Sequence, residues 1–216
     1  MKLLLTSAGL YNKSIVKAFN DLVSLPKEKI HIAYIPTAAN VEEGDKGWLI
    51  DDYINLKKEG YGCIDIVDIS SIEKTIWLPR IKESNVIFVG GGNTFHLMHW
   101  FNKSGLSKIL PELIKTRVYA GVSAGSCIVG PTIFNSVQNL FDEKYELKIK
   151  KGMGLVNLQI IPHLNSDYFP KIREENLEEA SKDLKEPVYA IDDNSAVVVR
   201  DNKMTVVSEG KWRKFN

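Results

Sequence analysis

Ser123 sits in Gly121-Val122-Ser123-Ala124-Gly125, a G-x-S-x-G pattern that follows the apolar run Val118 to Val122 and precedes a helix-compatible stretch, Ser126 to Val129. A serine hydroxyl is a weak nucleophile. A sharp strand–turn–helix bend can expose it beside a base and in front of main-chain donors. Such a bend strains a non-glycine backbone and needs neighbours without bulk, which Gly121, Ala124 and Gly125 supply. The helix behind the serine turns its free N–H groups and positive dipole end toward any developing oxyanion. A small-residue turn that only packs a helix on a sheet carries the same pattern, so other residues must decide.

A nucleophilic serine needs a base, and the chain has four histidines. His31 opens an apolar strand and reads as structural. His96 and His99 lie one helical turn apart, but no further Cys/His/acid cluster accompanies them, so no metal and no cofactor is expected. His163 follows the short strand Gln159 to Ile161 and Pro162, in a loop from which an imidazole could reach Ser123; it is the expected base. The acid that would fix its tautomer is Asp192 or Asp193 at the end of a strand, with Asp142 and Asp167 as looser candidates. The run Gly90-Gly91-Gly92-Asn93-Thr94 fails G-x-G-x-x-G because Phe95 holds the third glycine position, and it lacks the Gly-Lys-Ser/Thr of a phosphate loop. It suits an oxyanion hole, in which Gly91 or Gly92 adds an N–H to that of Ala124.

These residues need a scaffold that gathers strand ends. Lys2 to Ser7, Ile30 to Ile35, Cys63 to Ile69, Val86 to Val89 and Val118 to Val122 are apolar runs of strand length. Helical spacing separates them: Ile15, Phe19, Leu22 and Val23 after an Asn12 or Ser14 cap, Trp48 to Lys58 ended by Gly60, a helix from Thr94, and Leu106 to Ile114. Alternation of this kind predicts an α/β fold, a mostly parallel sheet with helices on both faces. Ligands of such sheets gather at the carboxyl ends of the strands, where Gly90 to Thr94, Ser123 and His163 all fall. After the serine the pattern changes. Lys144 to Lys151 is a charged excursion and Lys171 to Lys185 a solvent-facing helix. Val188 to Ile191, Ala196 to Arg200 and Met204 to Val207, with turns at Asp193-Asn194 and Asp201-Asn202, predict a C-terminal antiparallel meander at one edge.

Composition narrows the class of molecule. The 216 residues are expected to form a single domain, 1–216, with 44% hydrophobic residues and a sizeable core. A net charge of +1 offers nucleic acid or an anionic membrane no bulk attraction, so neither is an expected partner. No apolar run approaches membrane-spanning length, and Leu3-Leu4-Leu5 is too short for a signal sequence. Cys63 and Cys127 suggest neither a disulfide framework nor a metal cluster. A cytoplasmic protein is the expectation.

Taken together, Val89-Gly90-Gly91-Gly92-Asn93-Thr94-Phe95, Gly121-Val122-Ser123-Ala124-Gly125-Ser126 and Ile161-Pro162-His163 resemble the peptidase E family, α-aspartyl dipeptidases on a fold similar to class I glutamine amidotransferases. The likeness runs from the first strand to the final meander. It implies a metal-independent serine dipeptidase acting on Asp-X peptides, with Ser123 as nucleophile and His163 as base. The family's triad aspartate follows a Pro-Thr-Ile stretch, and alignment on Pro131-Thr132-Ile133 places the uncharged Gln138 there. The family's later acid matches Asp193, which the resemblance therefore implies as the third member. It also implies Arg173 as a clamp for the aspartyl carboxylate, since a guanidinium grips a carboxylate with two parallel bonds. Asn93 would meet the substrate amine or carbonyl. A small peptide is the implied partner, with room left for a homodimer. Another acyl or β-aspartyl (cyanophycin-type) substrate, or a catalytically silent binding homologue, are the alternatives. An amidotransferase is disfavoured because Ser123 stands where a thiolate would be needed and Cys127 lies too far along the helix.

Overall fold

The computed structural model describes residues 1–144, 149–182, 184–201 and 203–216. The charged excursion from Lys144, the Asp201-Asn202 turn and the helix expected up to Lys185 fall partly outside them.

Five strands run parallel: β1 (Lys2–Thr6), β2 (His31–Ile35), β3 (Cys63–Ile66), β4 (Val86–Val89) and β5 (Val118–Val122). β8 (Ser195–Arg200) pairs antiparallel with β1, and β9 (Lys203–Ser208) pairs antiparallel with β8. The order across the sheet is β3-β2-β4-β5-β1-β8-β9. Successive side chains of a strand point to opposite faces, so this sheet has two cores. Leu4, Ile32, Tyr34, Phe88 and Ala120 face α1 (Lys13–Val23) and α2 (Gly47–Lys58), which contribute Ile15, Phe19, Leu22 and Leu56. Leu3, Leu5, Ala33, Ile35, Ile87 and Tyr119 face α3 (Lys74–Glu83), α4 (Thr94–Ser104) and α5 (Leu106–Leu113). Each wholly buried leucine or isoleucine contributes about 1.5–3 kcal/mol to this arrangement. The Asn12 side chain, rather than Ser14, caps α1 by accepting from the Ile15 N–H at 3.0 Å.

α3 has no counterpart in the sequence reading. Pro79 lies inside it, and a proline is a helix-breaking signal. Burial of Trp77 and Ile81 against the sheet overrides that local penalty.

The tail also differs from expectation. β8 and β9 form the antiparallel edge, but β7 (Val188–Ile191) leaves it for a second sheet ordered β10-β7-β6, with β6 (Gln159–Ile161) parallel to β7 and β10 (Trp212–Phe215) antiparallel to it. The reason is a separate apolar cluster. Ile161, Ile172, Val188 and Ala190 bury together with Leu177 of α8 (Glu174–Ser181). Two short helices, α6 (Ala124–Cys127) and α7 (Phe134–Val137), follow β5, and from α7 Asn135 Nδ2 donates to the Ile160 carbonyl of β6 at 2.7 Å.

Candidate active site

Strand register decides which residues become neighbours. Thr6 of β1 pairs with Val122 of β5, and Val89 of β4 pairs with Gly121. Extending both ladders past the strand ends brings Ser7 and Gly91 to either side of Ser123. A Cβ built on Gly91 would lie 3.3 Å from Ser123 Cβ. In the second sheet Ile161 pairs with Ala190, which puts His163 and Asp193 just beyond adjacent parallel ends. The two sheets present these ends to one another.

The bend at Ser123 is strained, with φ 46° and ψ −108°. A non-glycine residue held there costs about 1–3 kcal/mol, so its surroundings must enforce it. They do so through buried hydrogen bonds. Ser123 N–H donates to the Thr6 carbonyl at 3.1 Å, and Ser126 Oγ reaches the Thr6 and Gly121 carbonyls at 2.7 and 2.8 Å. Thr6 Oγ1 donates to Gly121 O at 2.8 Å and Tyr119 Oη to Gly125 O at 2.6 Å. Each is worth about 1 kcal/mol net, together enough to hold the turn. The glycines are needed for contact as well: a Cβ on Gly125 would sit 2.2 Å from the Val89 carbonyl oxygen.

His163 Nε2 lies 3.0 Å from Ser123 Oγ, and His163 Nδ1 lies 2.7 Å from Asp193 Oδ1. The tautomer that uses both carries its proton on Nδ1, donates to the carboxylate, and leaves Nε2 to accept from the serine hydroxyl. The imidazole is stacked on Phe169 with ring centroids 4.7 Å apart, and the edge of Phe141 closes its other side at 6.2 Å. Partial burial pushes the Asp193 carboxyl up, but the hydrogen bond and charge of His163 and the Ser7 hydroxyl outweigh it. The group is held below its ordinary 3.8 and stays ionised at neutral pH.

Ser7 was not singled out from sequence, yet it touches both His163 and Asp193. Its Oγ donates to Asp193 Oδ1 at 2.6 Å, accepts the His163 backbone N–H at 2.8 Å, and lies 3.1 Å from His163 Nδ1. The signal available was its place as the polar terminus of the first apolar strand. Asp192, the neighbour that competed with Asp193, is spent on the turn, where it accepts from Asn194 N, Ser195 Oγ and Lys211 N. Asp142 pairs with Lys171. Asp167 and the exposed Gln138 do not line the cavity around Ser123.

That cavity has a volume of about 850 Å3 and reaches from Ser123 and Gly91 past Trp48 to Phe169 and Tyr168. Gly92 borders it at φ 123°, where a Cβ would strike the Ala38 carbonyl oxygen at 2.4 Å. The N–H groups of Gly91 and Ala124 make no hydrogen bond among the described residues. Asn93 is buried and caps α4, its Oδ1 accepting from His96 N at 3.0 Å, and it does not line the cavity. Arg173 is also absent from the lining. Its Nη1 donates to the carbonyls of Ser166, Phe169 and Ile172 at 3.0 to 3.1 Å, bracing the loop that carries Phe169. Cys127 does border the cavity, but burial pushes its thiol well up despite a hydrogen bond from Asn135, which leaves little thiolate for nucleophilic attack. No group of three or more His, Cys, Asp or Glu suited to a metal occurs among the described residues, and no helix among them is long and apolar enough to cross a membrane.

Comparison with known proteins matches residues 3–207 to the model of peptidase family S51. An uncharacterized peptidase of Listeria innocua is 29% identical over 92% of this chain and 94% of its own. A peptidase E of Shewanella amazonensis is 29% identical over 81% of this chain and 80% of its own. Among solved structures, a peptidase E candidate from Listeria monocytogenes superposes with a TM-score of 0.80 at 24% identity, covering 97% of this chain and 98% of that one. A peptidase from an acI-B1 actinobacterium superposes at 0.72 with 21% identity, covering 98% and 88%. At these identities the structures speak for the fold.

Proposed function

This chain belongs to peptidase family S51, and from that premise we propose that it hydrolyses short peptides with Ser123 as nucleophile through an acyl-enzyme. The observation that carries the reading is the continuous chain Ser123 Oγ, His163 Nε2, His163 Nδ1, Asp193 Oδ1, at 3.0 and 2.7 Å. His163 takes the hydroxyl proton as Ser123 Oγ attacks the peptide carbonyl, and returns it to the leaving amine. Asp193 stays ionised, holds the tautomer and stabilises the imidazolium between those steps. The carbonyl oxygen becomes an oxyanion within reach of the N–H groups of Gly91 and Ala124, each such donor worth about 3–4 kcal/mol in the transition state. Water then enters, and His163 deprotonates it to release the acyl group.

The aspartate preference that accompanies the likeness to peptidase E needs a cation at the cavity. Arg173 spends Nη1 on its own loop, and neither Lys nor Arg is among the described lining residues. Aspartate is therefore not part of the proposal. A dipeptide panel hydrolysed by the wild type and by Ser123→Ala, with fluorophosphonate labelling of the intact protein, tests the reading. Labelling at Ser123 and a loss of about 10³-fold or more in kcat are expected. Unlabelled protein, or a Ser123→Ala variant that still turns over, refutes it.

A further inference from the structure

Asp52 is a buried carboxyl in the cavity wall that the reaction above does not use and the fold does not require. It sits on α2 at 7% exposure, and its Oδ2 accepts the Tyr34 hydroxyl at 2.9 Å. Oδ1 has no hydrogen-bond donor among the described residues, and the carboxylate borders the cavity. Its position relative to the nucleophile follows from the glycines around it. A Cβ built on Gly9 would lie 2.7 Å from Asp52 Oδ1 and 3.6 Å from Val122 Cγ2, so the carboxylate stands beside the residue before Ser123. A Cβ on Gly90 would lie 2.6 Å from Tyr34 Oη, placing its partner under the loop that carries Gly91.

Taking the Serine-peptidase reading as its premise, we propose that Asp52 is the counter-ion for an ammonium group of the substrate, so that the cavity selects peptides by positive charge. The ammonium is either the free amino terminus or a basic side chain of the first residue. Three observations support this. A buried carboxylate with an open oxygen and no cationic partner is a group awaiting a donor. Asn at this position would keep the Tyr34 hydrogen bond without burying an ionisable group, so the fold gives no reason for the acid. The rest of the wall carries the same sign: Glu42, Asp45 and Asp51 line the outer part on the α2 side, and Glu143 lines the cavity beside Thr94. Such a field attracts a cation. Burial raises the Asp52 carboxyl to about 7, against the Tyr34 bond that lowers it; an arriving ammonium would draw it back to the ionised form.

The test is calorimetric titration of Ser123→Ala protein, with and without Asp52→Asn, using Lys-Leu, norleucyl-leucine and Nα-acetyl-norleucyl-leucine. The acetyl group removes the α-ammonium, and norleucine removes the ε-ammonium at constant length. We expect at least one of these ammonium groups to tighten binding about tenfold or more, and Asp52→Asn to erase that gain while leaving the acetylated ligand unaffected. Which comparison carries the gain identifies the ammonium. If neither group tightens binding, or the gain survives Asp52→Asn, the proposal is overturned. Because the titration needs no turnover, failure of fluorophosphonate to label the wild type would sink the serine mechanism separately.

Discussion

Asp52→Asn should stabilise the protein, and by an amount that grows with pH. In the unfolded chain the carboxyl ionises at its ordinary 3.8, and in the folded protein only at about 7. Between those values the native state holds a proton that the unfolded state has lost, so stability falls as pH rises through the window and levels off above it. The window spans about three pH units at about 1.4 kcal/mol each, a penalty of about 4 kcal/mol if the site were sealed. Water reaching Oδ1 from the cavity lowers that, and about 2–4 kcal/mol is the working figure. Asparagine has no such window, and its Oδ1 can accept from Tyr34 in the same place. Urea unfolding of both proteins at pH 5 and pH 8.5 isolates the effect, because every other titrating group cancels in the difference. The variant should be more stable at pH 8.5, with its advantage over the wild type about 1–3 kcal/mol larger than at pH 5, where part of the window has already been crossed. A pH-independent difference, or a variant less stable at pH 8.5, would show that Asp52 is not a strained buried acid. An acid that weakens the fold and faces the cavity is the stability–function compromise common at working sites.

Ser7→Ala removes a charge-assisted bond to Asp193 and the acceptor of the His163 N–H. It should lower kcat about 10–100-fold with little change in KM, because Asp193 and the His163 backbone lose the hydroxyl that fixes them against one another; an unchanged kcat, or a loss that falls on KM alone, counts against a positioning role. Gly125→Ala puts a Cβ 2.2 Å from the Val89 carbonyl oxygen and should prevent folding or destabilise by more than about 3 kcal/mol, whereas Gly91→Ala, 3.3 Å from Ser123 Cβ, should fold and lose activity; denaturation and kinetics on both distinguish packing from chemistry. Arg173→Ala unties the Ser166, Phe169 and Ile172 carbonyls, so it should depress kcat/KM alike for acidic and neutral first residues and lower Tm. A rise in KM confined to Asp-peptides would restore Arg173 as a carboxylate clamp.

Some of the arrangement was legible because local pattern and tertiary demand agree. The parallel strands are continuous apolar runs, since both of their faces are covered, and α1 carries its apolar stripe and its Asn12 cap in plain view. The serine bend was legible for a similar reason: close backbone approach admits only glycine at positions 121 and 125, and glycine is visible in a sequence. α3 was hidden by Pro79, whose local penalty is outweighed by burying Trp77 and Ile81. α2 carried a readable clue that was passed over. Asp52 lies at helical spacing from Leu49 and Leu56, a charged residue on the apolar stripe.

What the sequence determined by itself is the inventory: an alternating α/β scaffold, a serine in a strained turn, one well-placed histidine and two adjacent aspartates. What only the tertiary structure decided is their assignment. Asp192 and Asp193 are chemically identical neighbours, and the split of β7 from β8 into different sheets turns one into a hairpin cap and the other toward His163. Ser7 joins them because the register of β1 against β5 sets it beside Ser123, more than a hundred residues away in the chain. Arg173 turns to its own loop because three carbonyls lie within reach there. Hydrogen bonds between distant segments depend on which strand ends meet, and that is fixed by packing of the whole chain rather than by any local run of residues.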